Sequence, residues 1–112
     1  MTQIETDYRR GLALIDSGQY FAAHESLEDA WRAAPKDERD FFQGLVHIAV
    51  AWYQAERRNK VGWQRQLAKA RRRLAAYEPV HRGLDVEDLL SQLRGSENAY
   101  PHPPPLRLRL TL

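Results

Sequence analysis

Apolar residues recur along this chain at helical intervals, in blocks separated by short polar turns. Ile4, Tyr8, Leu12 and Ile15 form the first stripe, with Thr2 and Glu5 ahead of it at the spacing of a capping box. Asp16-Ser17-Gly18 then reads as a stop and turn. A second helix starts near Gln19, with Tyr20, Ala23, Leu27, Ala30, Trp31 and Ala34 on its apolar side, and Pro35 ends it. Asp37, with Asp40 three residues on, is placed to cap a third helix. Phe41 to Tyr53 is apolar on most sides, broken by Gln43, Gly44 and His47, which predicts a helix in the middle of the domain. Arg57-Arg58-Asn59-Lys60 closes it with positive charge suited to a helix C-terminus.

Trp63, Leu67, Ala70, Leu74 and Tyr77 give the cleanest period in the chain, with Arg65, Lys69, Arg71, Arg72 and Arg73 between them. Asp85 caps a short fifth helix through Val86, Leu89, Leu90 and Leu93, Leu84 and Leu89 being placed as a hydrophobic staple, and Gly95 is expected to end it. No strand is expected before the tail. The short turns make successive helices antiparallel neighbours. The expected fold is therefore all-α: a compact bundle of two helix-turn-helix pairs plus a short fifth helix, with an extended C-terminal arm. Residues 1–95 form the helical domain and 96–112 the Pro-rich arm. Gly11, Leu14, Gly18, Tyr20, Ala23, Leu27, Ala30 and Pro35 fall at tetratricopeptide spacings, but Asp7 and Arg10 stand where that repeat has Trp and Leu, so shared helix-pair packing is the simpler reading.

The arm adds a different pattern. Pro103-Pro104-Pro105 is rigid and extended, and the end of the chain alternates Leu106, Leu108, Leu110 and Leu112 with Arg107, Arg109 and Thr111. Four leucines on one side of an extended segment are expected to be buried. With no other strand to pair with, they would lie across a groove of a helical core or pair with a second tail; the arm is expected to take part in a homodimer.

Charge changes the picture little. The net charge of +2 divides into 5 basic against 9 acidic residues over 1–50 and 12 against 6 over 51–112. A split of this kind can mark an anionic partner, although solvated faces are the commoner cause. The basic residues of the fourth helix come without an aromatic platform or a reading motif, so specific nucleic-acid binding is not expected. There is no cysteine, hence no disulfide, thiolate metal site or cysteine nucleophile. No apolar run is long enough to cross a membrane, and the first ten residues lack the shape of a signal peptide. The expected location is cytoplasmic.

The candidate chemistry is on the second helix. His24, Glu28 and Trp31 stand at i, i+4 and i+7 and share one face, beside the core stripe at Leu27. An imidazole and a carboxylate one turn apart can hold a divalent metal jointly or simply hydrogen-bond to each other. The blocks Tyr20-Phe-x-Ala-His24-Glu25-x-Leu27-Glu28-x-x-Trp31, Phe42-Gln43-Gly44-Leu45, Ala49-x-Ala51-x-Tyr53 and Asn59-x-x-Gly62 resemble the prokaryotic family named domain of unknown function 309, over roughly Tyr8 to Leu93. His24, Glu28 and Trp31 match that family's mark, His-x-x-x-Glu-x-x-Trp/Tyr. The resemblance implies an all-helical fold and a suggested metal site without an established activity. Gln54 stands where a His is expected after Tyr53, which removes one ligand.

His24-Glu25-x-x-Glu28 is also the H-E-x-x-H helix of zinc hydrolases with the second His replaced by Glu. On that analogy His24 and Glu28 are ligands and Glu25 the base of a metal-dependent hydrolase. His47 is the nearest further ligand, since His81 and His102 fall in a loop and the tail. A carboxylate-rich set suits Mn, Fe or Mg better than Zn. Trp31, Gln43 and Gly44 would line a ligand site, though each has a structural alternative: Trp31 as an interface aromatic, Gly44 as a close helix crossing with Gln43 bonding to a neighbour. Three readings therefore stand side by side: a divalent-metal or small-ligand site at His24, Glu28 and Trp31, a tetratricopeptide-like module for a protein partner, and a basic surface for nucleic acid.

Overall fold

The structure, a computed structural model, describes residues 1–111. It is all-helical apart from one small hairpin. Helices α1 (Gln3–Asp16), α2 (Tyr20–Ala33), α3 (Arg39–Glu56) and α4 (Lys60–Leu74) follow one another, and α5 (Val86–Ser96) closes the domain. Thr2 caps α1 by accepting from the Glu5 amide, and Asp85 caps α5 by accepting from the Asp88 amide. Gly18 takes a left-handed φ of 77°, which ends α1 where the Asp-Ser-Gly turn predicts.

α3 is the central helix, flanked by α2 and α4. Phe41, Phe42, Leu45, Ile48, Ala49 and Trp52 are buried along it, as its nearly all-round apolar pattern requires. Helices approach closely where side chains are absent. A Cβ built on Gly44 would lie 2.6 Å from Leu74 Cγ, so α3 and α4 cross at this glycine. Leu74 is fully buried and cannot swing away. Gly44→Ala is expected to cost about 1–3 kcal/mol through overpacking, outweighing the helix-propensity gain of about 1 kcal/mol. A urea midpoint at or above that of the parent would contradict this crossing.

Four features depart from the expectation. Asp37 does not cap α3. Lys36–Glu38 forms a turn of 3-10 helix, α3 begins at Arg39, and no side chain caps it. Asn59, expected at the end of α3, instead opens α4 by accepting from the Gly62 amide at 2.9 Å. α5 continues through Gly95 to Ser96, since that glycine does not adopt a positive φ.

The fourth departure is a hairpin before the tail. β1 (Val80–His81) pairs antiparallel with β2 (Leu84–Asp85). The two connecting residues, Arg82 and Gly83, have φ of 46° and 76°, the mirror-image turn whose twist suits a tight hairpin. Strands of two residues are too short to show alternation, and arginine is an uncommon first residue for such a turn.

This hairpin supplies the edge that the arm needs. Leu110 bridges Leu84, the Asp85 amide donates to Arg109 O at 2.8 Å, and the Thr111 amide donates to Gly83 O. The rest of the arm lies across the chain's own core. Trp52 Nε1–H donates to Pro104 O at 3.1 Å, Gln92 exchanges two hydrogen bonds with the backbone of Arg107, and the Leu108 amide donates to Asp16 Oδ1. The four leucines are not equivalent: Leu106 is buried, Leu108 half-buried and Leu110 exposed, while Leu112 lies outside the described residues. No described helix is long and apolar enough to cross a membrane.

Candidate functional site

The α2 residues converge as their spacing requires. His24 Nδ1–H donates to Phe21 O at 2.9 Å, and His24 Nε2 lies 3.1 Å from Glu28 Oε1. The other Glu28 oxygen accepts from Arg32 Nη2 at 3.1 Å, and Arg32 also donates to Asp29. Because a carbonyl oxygen can only accept, the bond to Phe21 places a proton on Nδ1 and turns Nε2 toward the carboxylate.

His24 is partly exposed and borders a recess between α2 and α3 with a volume of about 140 Å³, lined also by Phe21, Val50, Tyr53 and Gln54. Phe21 covers one side, its ring 5.0 Å from His24 and 5.3 Å from Tyr53. Gln54, standing where a histidine was expected, lines this recess. Trp31 is half-buried one turn beyond Glu28, with the Arg39 guanidinium 5.0 Å over its ring. Glu25 is exposed.

Gln43 and His47 face the other neighbour. His47 Nδ1 is 2.7 Å from Gln66 Oε1 on α4, and Gln43 Nε2 is 3.5 Å from His47 Nε2, too long for a strong bond. Burial pushes the His47 pKa down, Gln66 opposes this, and the cations Arg73, Lys69 and Arg72 add to the depression. Bonded to Gln66 of α4, His47 does not join His24 and Glu28. Among the described residues, no three of His, Cys, Asp and Glu gather as a metal-binding group. Gly44 meets Leu74 at the α3–α4 crossing.

The basic run of α4 is partly neutralised. Arg73 pairs with Asp40 at 2.7 Å and Arg71 with Glu97 at 3.6 Å.

The most connected polar cluster is one that sequence patterns do not reveal. Arg82, at the hairpin turn, donates Nε to Glu38 Oε1 at 2.8 Å, Nη2 to Glu38 Oε2 at 2.6 Å and Nη1 to Glu5 Oε2 at 2.9 Å. Its guanidinium lies 5.1 Å over Phe42, and its carbonyl accepts from Tyr8 OH at 3.1 Å. His81 Nε2–H donates to Glu38 Oε1 at 2.7 Å. The forked bond from Arg82, helped by His81, holds the Glu38 pKa down at about 2 although burial opposes it. Burial pushes the Tyr8 phenol up. All polar arms of Arg82 are engaged within the chain, which makes this a lock between the hairpin and helices α1 and α3. The one signal for it in the sequence is the Arg-Gly pair between Val80-His81 and Leu84-Asp85.

A family model described as Domain of unknown function (DUF309) matches residues 8–66, a stretch holding His24, Glu28, Trp31, Gln43, Gly44 and His47. The chain is also similar to a Bacillus subtilis (strain 168) protein named Uncharacterized protein YpuF. The two are 39% identical over 71 residues, which cover 62% of this chain and 38% of that relative. The match thus spans well under half the length of the relative.

Proposed function

The chain belongs to the Domain of unknown function (DUF309) family, and from that footing we propose that its working site is the His24–Glu28 pair, a two-residue holder for a divalent cation. Water or a small ligand in the Phe21–Tyr53 recess would complete the ion's shell. One observation carries the reading: His24 Nδ1–H is committed to Phe21 O, while Nε2 faces Glu28 Oε1 at 3.1 Å. At that distance the two atoms share either the proton of an imidazolium or a cation held between them. A metal ion bound at about 2.0–2.2 Å from each atom spans this separation. Imidazole ligands are commonly oriented by an N–H bond to a backbone carbonyl of this kind. The donor set is one nitrogen and one oxygen, which favours Mn or Fe over a closed zinc site. Arg32 draws on Glu28 from its other side and limits affinity. The reading is one of binding, with Glu25 exposed beside the pair.

Addition of Mn²⁺ to metal-free protein is expected to raise Tm and to broaden the resonances of His24 and Gln54. His24→Ala and Glu28→Gln are expected to abolish both effects while costing about 1–3 kcal/mol of metal-free stability. An imidazolium at His24 at neutral pH, read from its ring ¹⁵N shifts, with no Tm response to any divalent ion, would mean that the pair is a plain ion pair and the proposal fails.

A further inference from the structure

The groove between α4 and α5 is rich in hydrogen-bond donors. Ala68, Arg71 and Arg72 of α4, and Ala75 just past its end, succeed one another at helical intervals, facing Leu90 and Arg94 of α5. Two clefts run here and share Ala68 and Arg71. One, about 270 Å³, reaches Trp63, Gln64 and Asn98; the other, about 390 Å³, reaches Arg94 and Glu78. Arg71, Arg72 and Arg94 thus line one cleft, together with Glu78 and the small or apolar Ala68, Ala75 and Leu90. Glu97 pairs with Arg71 at 3.6 Å, and among the described residues Arg72 and Arg94 form no ion pair.

Trp63 supplies a second, independent observation. It lines the same groove, is 1% exposed, and its indole N–H is buried without an acceptor among the described residues. An indole nitrogen can only donate, and a buried donor left unmade is costly. The groove thus sets three guanidiniums and an unmet indole N–H against two carboxylates, Glu97 and Glu78.

We propose that the α4–α5 groove binds a small phosphorylated molecule, with Arg71, Arg72 and Arg94 holding its phosphate oxygens. Guanidinium forks match phosphate oxygens in pairs, and the alanine floor lets a tetrahedral anion approach α4 closely. A further oxygen of the ligand would take the Trp63 N–H. Glu97 would yield Arg71 to the stronger, doubly charged partner. A single nucleic-acid strand fits less well, because it needs an exposed aromatic to stack on, and Trp63 is buried. The site is separate from the α2 pair and stands or falls independently of it.

The probe is inorganic pyrophosphate, titrated into the full chain at about 0.15 M salt and followed by ¹H–¹⁵N spectra. Saturable shifts are expected at the Trp63 indole and at the amides of Ala68 and Arg94, with His24 and Gln54 unmoved. Arg72→Gln and Arg94→Gln should each weaken binding about tenfold. Lys69→Gln, on the side of α4 toward His47, should leave it unchanged. Trp63→Phe keeps the ring and removes the donor, and should weaken binding severalfold. Silence at the Trp63 indole, or an equal loss on Lys69→Gln, would reduce the site to diffuse charge and overturn the proposal. So would a single-stranded oligonucleotide that binds through these arginines more tightly than pyrophosphate.

Discussion

Trp52→Ala is expected to destabilise the protein by about 3–5 kcal/mol, the usual range for deleting a buried aromatic ring. Trp52 is 2% exposed and packs edge-on against Trp63 with ring centroids 4.9 Å apart. It also holds the arm, through its N–H to Pro104 O. A domain of this size has about 5–15 kcal/mol of stability in all, so the variant should be partly unfolded near 37 °C. Trp52→Phe separates the two roles. It retains most of the buried area and loses the hydrogen bond, so its cost should fall to about 1–2 kcal/mol. Its arm should nevertheless loosen, seen as faster amide exchange at Arg107 and Leu108, whose N–H groups bond to Gln92 and Asp16. A urea midpoint for Trp52→Ala close to that of the parent would show that the arm and the α3–α4 core are not coupled through this ring.

Arg82→Ala is expected to cost about 3 kcal/mol, because it leaves Glu38 and Glu5 facing each other, partly buried, without their shared cation. The same pair sets a pH dependence. Glu38 is held at about 2, below its ordinary value of 4.5. A depressed carboxyl pKa stabilises the fold fully above the unfolded value, and this contribution is lost as pH falls from about 4.5 toward 2. A depression of that size corresponds to about 3 kcal/mol. The parent protein should therefore lose stability steeply across that window, and Arg82→Ala should show a much flatter acid limb. Parallel acid limbs in the two proteins, measured by urea unfolding at successive pH values, would mean that another carboxylate governs the transition.

The meeting of His24 and Glu28 is legible in the sequence because i, i+4 spacing on one helix brings two side chains together whatever the rest of the chain does. The observed 3.1 Å contact follows from that local geometry. Neighbours on other elements are not legible in the same way. His47 stands on the polar interruption of α3 and is the nearest further ligand by sequence, but which helix it faces depends on how α3 is rotated between α2 and α4. It bonds to Gln66 of α4 instead. The Arg82 lock is harder still to foresee. Glu5 and Arg82 are 77 residues apart, and nothing local to either announces the other. Likewise Arg94 joins Arg71 and Arg72 only because α5 folds back along α4.

The helices, most of their caps, the Gly18 turn and the central position of α3 are written locally in the chain. Each of these rests on the 3.6-residue period, on a hydrogen bond spanning three or four residues, or on a residue type that alone tolerates the backbone required. The course of the arm is not local in this sense. Leu106 to Leu112 alternate in a pattern that demands burial without naming the surface, and that surface is made by Trp52, Gln92, Asp16 and a two-residue hairpin brought together from four distant segments. The hairpin is stable at two residues per strand because Arg82 ties its turn to α1 and to the turn that precedes α3, and the arm hydrogen-bonds along its edge. Such pairings draw their free energy from burial and long-range hydrogen bonds, so no window of sequence contains them.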